Sequence, residues 1–359
     1  MSDKTGIEWT DATWNPVRGC SLVSDGCKNC YAMGVAGRFG GAGQPYDGLT
    51  TKTTQGAKWT GKIMLVPDML DQPIRWKRPR KIFVNSMSDL FHEGVPDDYI
   101  DRVFAVMALA PQHIFQVLTK RPERMRDYLR DKDLEDRITD LWREDDRDKE
   151  TWNIMLPLSN VWIGVSVENQ ATADERIPLL LQTPASVRWL SMEPLLGPVD
   201  TSKYLNEVWC EDCDWSGTDC AGETDGDSEC PECGSSPVMF RMREKINWVV
   251  AGGESGPNAR PMHSDWVRSL RDQCNAAKVP FFFKQWGEWA PGHVLPKDIL
   301  LPIRKYGWID INGGGMEPGL THVFKDECAH HDLLGRIGKK AAGRTLDGRT
   351  WDEYPEVAP

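Results

Sequence analysis

The chain has no apolar run long enough to cross a bilayer, which excludes an ordinary membrane-spanning helix. It also has no excess of positive charge. Its 43 Lys and Arg stand against 54 Asp and Glu, a formal net charge of −11 at pH 7. Broad, non-specific duplex binding depends on neutralising phosphates, and this balance argues against it. The opening Met1-Ser2-Asp3-Lys4 lacks the charged-then-apolar pattern of a signal peptide. Histidine is scarce, with 7 in 359 residues. None lies near the first cysteines, the closest being His92.

Those cysteines are the most informative feature present. Cys20, Cys27 and Cys30 follow one another in the spacing C-x6-C-x2-C. Three thiolates from one loop suit a [4Fe–4S] cluster whose fourth iron stays open to a ligand that is not protein. A zinc ion would need a fourth ligand brought from elsewhere, and free thiols are the third reading. With no secretory signal, the ten cysteines are read in a reducing cytoplasm, where paired clusters mean metal before disulfide. Cys274 and Cys328 stand alone and read as ordinary thiols.

A second set differs in kind. Cys210 and Cys213 form one C-x2-C knuckle, and Cys230 and Cys233 form another after sixteen residues. Two such knuckles match structural zinc spacing, and four thiolates leave the metal no open position. The acidic, Gly- and Ser-rich stretch between them cannot build a core, so metal would hold it folded. Cys220 is a spare thiol or a substitute ligand.

Elsewhere, short apolar runs alternate with helical patterns. Runs near residues 7–14, 82–84, 114–118, 161–165, 187–190, 248–251 and 279–283 read as parallel strands buried on both faces. Helices are expected at 99–109, 122–129 and 265–277. Some seven βα units predict an α/β fold, a complete or partial (β/α) barrel. Residues 1–204 would form its first part with the cysteine loop at 20–30, 205–243 a zinc-ribbon-like insertion, and 244–359 the barrel's end and an extension. The charge-dense stretch 130–150 reads as a solvent-facing helical excursion.

The expected strands end in polar residues: Asn85 to Asp89, Lys120, Ser166 to Glu168, Glu193, Gly252-Gly253-Glu254 and Lys284. At the C-terminal edge of a parallel barrel such tips belong to one site. Helix capping accounts for some Ser, Asp and Asn, but less readily for the charged members. Arg75, Lys77, Arg78, Arg80 and Lys81 around Trp76, with Lys120 and Arg121, form either a local phosphate-binding patch or a solvated strand entry.

Several strings resemble the phage-encoded three-Cys-motif proteins, which are radical-SAM-like. They are Trp14-Asn15-Pro16 leading into the cysteines, Phe83 to Phe91, Leu118 to Pro122, Leu190 to Leu195, and Gly252 to Pro257 with Ala259-Arg260-Pro261. The resemblance covers about residues 7 to 290 outside the insertion. It implies a barrel of the radical-SAM type, with Cys20, Cys27 and Cys30 holding a [4Fe–4S] cluster and S-adenosylmethionine chelating the open iron. Glu254 of the Gly-Gly-Glu string would meet the methionine amine, although that string lies later here than in radical-SAM barrels. The first cysteine gap is also longer than the usual C-x3-C-x2-C.

Asn85, Asp89 and Ser166 would orient S-adenosylmethionine or substrate, with Glu193, Lys120 and Glu168 at the reacting end. Reductive cleavage of S-adenosylmethionine would give a 5′-deoxyadenosyl radical that takes a substrate hydrogen. The implied setting is phage DNA hypermodification in the host cytoplasm. The expected partners are DNA or a modified pyrimidine nucleotide, a host flavodoxin- or ferredoxin-type reductant and other phage DNA-modification enzymes, with no membrane. One reaction fits well, the isomerisation of an N-linked glycyl-thymidine to a C-linked form. Other radical-SAM base modifications, and a non-catalytic zinc-bearing nucleic-acid-binding phage protein, are the competing readings.

Overall fold

Runs of β-branched and aromatic residues build the strands of one seven-stranded sheet. They are β1 (Ala12–Trp14), β2 (Lys81–Val84), β3 (Ile114–Thr119), β4 (Val161–Ser166), β5 (Val187–Met192), β6 (Trp248–Gly252) and β7 (Phe281–Gln285). The computed structural model describes residues 5–54, 56–144, 154–206, 208–209, 216–217, 232–234, 244–292, 294, 306–310, 317–318 and 331–356. Each strand lies beside its neighbour in the chain, in parallel registers such as Trp14↔Val84, Val84↔Val117, Val165↔Leu190 and Val250↔Phe282. Among the described residues no strand joins β1 to β7. The fold is α/β, with seven parallel strands in the sequential order that a partial (β/α) barrel has.

The chain divides into two compact units, residues 1–166 with 178–191 and residues 167–177 with 192–359. The first holds β1 to β5. Its floor is aromatic: Trp9 meets Phe83 edge-on at 4.8 Å and Trp189 at 5.2 Å, and Gln116 Nε2 donates to the Trp9 carbonyl. Gly164 on β4 makes room for the Trp189 ring, since a Cβ there would lie 2.5 Å from the indole nitrogen. The expected early strand shrinks to Ala12–Trp14 because residues 7–10 turn to seat Trp9, with Thr10 Oγ1 donating to the Lys81 carbonyl at 3.0 Å.

Helix α1 (Tyr31–Arg38) leaves the cysteine loop directly. Helix α2 (Asp97–Ala108) opens on two acids that favour its positive end, and α3 (Pro122–Leu129) opens on a proline that gives up no needed N–H. Helix α4 (Leu134–Glu144) corrects the expectation of a solvent-facing excursion. Leu134 and Ile138 are fully buried, and Arg137 donates to the buried Asp101 of α2 at 2.9 Å. An i, i+4 apolar pair among charges is enough to dock one face.

In the second unit, α5 (Gln170–Leu181) contributes its residues up to 177, and α6 (Ser264–Ala276) joins β6 to β7. His263 Nδ1 caps α6 by accepting from the Asp265 N–H at 3.1 Å. The last strand begins two residues later than expected. Lys278 turns left-handed at φ 54° to leave α6, and Pro280 has no N–H to add to the ladder. A small antiparallel sheet follows, built from Trp289–Pro291, Tyr306–Asp310, Glu317–Pro318 and His331–Arg336. Among the described residues no helix is long and apolar enough to cross a membrane.

Of the expected insertion, Val208–Trp209 pairs with Ser216–Gly217, and Cys233 is exposed. The other zinc candidates, Cys210, Cys213 and Cys230, lie outside the described residues, as do Cys220 and Cys328. Cys274 is buried in α6, as an ordinary core thiol is.

The tight approach at Gly164 makes a direct prediction. Gly164→Ala should force the Trp189 indole aside and destabilise the chain by about 1–3 kcal/mol, the usual cost of overpacking. Denaturant midpoints of the two proteins test it, and equal midpoints would show that the floor tolerates the extra carbon.

Candidate active site

The N-terminal unit builds its site where β1 and β2 end. Asn15, in Trp-Asn-Pro after β1, accepts from Ser86 Oγ at 3.1 Å and from the Met87 N–H at 3.0 Å. Asn85 ends β2 in the left-handed region at φ 60°, its N–H donating to the Trp14 carbonyl and its Oδ1 accepting from the Val17 N–H. Its Nδ2 is buried with no hydrogen-bond partner among the described residues. Gly19, at φ 90°, precedes Cys20, and a Cβ there would collide with the Lys62 carbonyl at 2.2 Å. Only glycine lets the chain turn into the cysteine loop at that point.

The three cysteines lie within electrostatic reach of one another. Burial first, then the Asp89 carboxylate, pushes the Cys20 thiol up to about 12; Arg121 opposes this, and Cys30 and Cys27 add to it. Burial likewise raises Cys30, with Cys27 adding to the rise and Lys120 working against it. Both Cys20 and Cys30 border an apolar cluster that includes Met33, Ala36, Leu49 and Met87.

Asp89 and Arg121 tie this loop to β2 and β3. Asp89 is buried and takes four donors: the Phe91 N–H and Thr119 Oγ1 on Oδ1, and the Lys120 N–H and Arg121 Nη1 on Oδ2, at 2.7 to 3.1 Å. Arg121 is only 8 % exposed. It also donates to Glu93 at 2.9 Å and to Ser21 Oγ, beside Cys20, at 2.6 Å. The Gly94 N–H donates to His92 Nδ1, so the ring's proton sits on Nε2, which donates to Ser21 Oγ at 2.9 Å. The 3.6 Å approach of His92 Nδ1 to Glu93 is accordingly no ion pair while the imidazole is neutral.

Whether these residues fit an iron–sulfur cluster turns on the donor set. Among the described residues no group of three or more His, Cys, Asp and Glu side chains is drawn together as one metal ion would require. The thiolates of a cubane bind three different irons and stand further apart than the ligands of a single ion. Cys20, Cys27 and Cys30 on one loop offer the three thiols that such a cubane takes, one for each of three irons.

The other expected site residues belong to the second unit, save Ser166, which is buried at the end of β4. Glu168 is fully buried against Arg176 at 3.3 Å. Glu193 Oε2 pairs with Lys284 Nζ at 3.1 Å, while its Oε1 has no hydrogen-bond partner among the described residues. Gly252 makes that placement possible, since a Cβ there would lie 2.7 Å from Glu193 Oε1. Gly253 packs as closely on the Trp286 carbonyl. Glu254 is held by Arg260, through its N–H and Nε to Oε2 and Nη2 to Oε1, at 2.7 to 3.0 Å.

Arg121, Ser21, His92, Arg176 and Arg260 are the residues that sequence reasoning did not place here. Arg121 stood only as half of a basic pair, and nothing local marks an arginine for burial. Arg260 was within reach, because it lies six residues after Glu254 across a Gly-Pro turn.

Burial, then the Arg121 cation, holds His92 below its usual 6.5. The unfolded chain therefore takes up this proton first. The stabilisation is complete above about 6.5 and is lost as the pH falls through the folded value. The urea midpoint of the metal-free chain should fall from about pH 7 to about pH 5, and His92→Gln should lack that share of the fall. Identical pH profiles for the two proteins would contradict the assignment.

No curated protein and no solved structure matches the chain. A family model does match, over residues 4–355. The chain belongs to that family, which is described as protein of unknown function, DUF5131.

Proposed function

We propose that this protein is a radical S-adenosylmethionine enzyme of phage DNA hypermodification. Its suggested reaction isomerises an N-linked glycyl-thymidine to the C-linked form, on a route to aminoethyl-deoxyuridine that shields viral DNA from restriction. The observation that carries the reading is the cysteine loop. Three thiols lie on the loop that follows β1 of a parallel sheet, and a buried arginine holds Ser21 beside the first of them. The substrate and the phage setting follow the family resemblance, not the geometry.

Cys20, Cys27 and Cys30 would hold the cluster, leaving its fourth iron to the amino-acid end of S-adenosylmethionine. Once bound, the pair supplies a one-electron route to a carbon-centred radical. This chain's own residues contribute position and exclusion of water. Arg121 and His92 fix Ser21, and through it the backbone beside Cys20. Asn85 presents a buried amide donor near the loop, and Glu193 a buried carboxylate oxygen with no hydrogen-bond partner among the described residues. Lys120 sits close enough to Cys30 for its charge to be felt there. Four zinc-binding thiolates at Cys210, Cys213, Cys230 and Cys233 would keep the insertion folded, and a flavodoxin- or ferredoxin-type protein would supply electrons.

Anaerobic reconstitution tests the reading. About four iron and four sulfide per chain, with 5′-deoxyadenosine released on reduction, are expected. Cys20→Ala, Cys27→Ala and Cys30→Ala should each lose the brown colour and that release while retaining the far-ultraviolet circular dichroism of the parent. Two colourless zinc ions per chain, with no 5′-deoxyadenosine, would instead favour the non-catalytic nucleic-acid-binding protein.

A further inference from the structure

The segment carrying the cysteine loop reverses the charge of the rest of the chain. Residues 17–62 hold six Lys or Arg and two Asp, in a protein of net charge −11. Part of this positive charge is laid out on one face. Tyr31, Gly34 and Arg38 recur at helical spacing along α1 and are exposed, Lys28 is exposed just before them, and Phe39 just after. Tyr31 and Phe39 are 50 % and 48 % exposed, unusual for side chains of that size.

Three details make the face look prepared. The Tyr31 hydroxyl donates to the Ser86 carbonyl at 2.8 Å, so the ring is held in place while half of it stays open to solvent. Gly34 leaves a shelf one turn further on, where even a Cβ would meet nothing within 4 Å. The hairpin Thr50–Thr53 with Gly56–Trp59 packs against α1 through Ala57 and Gly37, and Lys58 Nζ fastens it to the loop by donating to the Lys28 carbonyl at 2.6 Å. Held aromatic faces interleaved with cations are what single-stranded nucleic acid uses: bases stack and phosphates pair. Duplex DNA hides its base faces and would use only the charge.

We propose that this face binds single-stranded nucleic acid, with an unpaired base on Tyr31 over the Gly34 shelf and the backbone along Lys28 and Arg38. The proposal deepens the reading above and rests on it for the chemistry that follows capture. It makes the substrate a base within a polynucleotide, delivered beside Cys30, and not a free nucleotide.

Fluorescence anisotropy with the full chain decides it, using a labelled oligothymidylate of about 15 nucleotides, the matching duplex, and thymidine 5′-monophosphate as competitor. The single strand should bind at least roughly tenfold more tightly than the duplex, with a salt dependence that weakens in Arg38→Ala. Tyr31→Ala should lose about ten- to a hundredfold in affinity, and Tyr31→Phe should keep most of it.

Gly34→Glu is the sharpest variant. It exchanges a poor helix former for a better one, so thermal stability should hold or rise while single-strand affinity drops roughly tenfold. Equal binding of single strand and duplex, or unchanged affinity in Gly34→Glu, overturns the proposal. So does a face whose variants still bind oligonucleotide but no longer accept electrons from a flavodoxin-type carrier, which would make it a protein dock. Cluster loading of the wild-type chain is measured separately. A loaded chain without single-strand preference removes only this surface, and a zinc-only chain with that preference removes only the enzymatic reading.

Discussion

The buried pair of Asp89 and Arg121 sets the geometry of the N-terminal unit's site. Burying two charges is costly, and the pair is tolerable only because its hydrogen-bonding capacity is used. Asp89 accepts from two side chains and two backbone N–H groups, and Arg121 spends its donors on Asp89, Glu93 and Ser21. The ends of β2 and β3 and the backbone beside Cys20 thereby share one network. Removing either partner would strand the other's charge, at about 3–5 kcal/mol by analogy with other buried pairs. The same charges act on the thiols. Burial and then Asp89 disfavour a bare Cys20 thiolate and Arg121 favours one; the balance keeps the Cys20 thiol protonated, so a cationic cluster core bound there would release its proton.

A different logic governs the second unit. Its two adjacent glycines are accounted for by close packing, Gly252 on the Glu193 carboxylate and Gly253 on the Trp286 carbonyl. Glu254 is committed to Arg260 in a fork of charge-assisted hydrogen bonds. Glu193 is less fully engaged, with one oxygen on Lys284 and the other, beside Gly252, without a hydrogen-bond partner among the described residues. If a carboxylate of this unit meets a ligand's ammonium group, Glu193 is the better prepared of the two.

Much of the fold was legible because it is written locally. Buried parallel strands announce themselves as unbroken apolar runs, and Pro122 marks a helix start on the spot, whereas the helix expected from Tyr99 opens two residues earlier on Asp97 and Asp98. Ala277 to Pro280 misled, because apolar residues there serve a left-handed exit from α6 and a proline, and not the strand. Helix α4 misled differently. Its charges were conspicuous, while the Leu134 and Ile138 pair that docks it is only two residues wide. The cysteine loop stood out because thiol spacing is a local signal. Arg121 did not, because its burial depends on Asp89 and Glu93 arriving from another strand's end. Local sequence likewise cannot say whether a Gly-Gly pair serves a ligand or a neighbouring carbonyl.

An open iron on the cysteine loop is the claim most worth testing. The direct measurement is electron paramagnetic resonance of the anaerobically reconstituted, chemically reduced protein, recorded with and without S-adenosylmethionine. A reduced [4Fe–4S] signal whose g-values shift when S-adenosylmethionine is added is the expected result, because only an iron without a protein ligand can take the new donor. A cluster signal indifferent to S-adenosylmethionine, or no cluster signal at all, would contradict it.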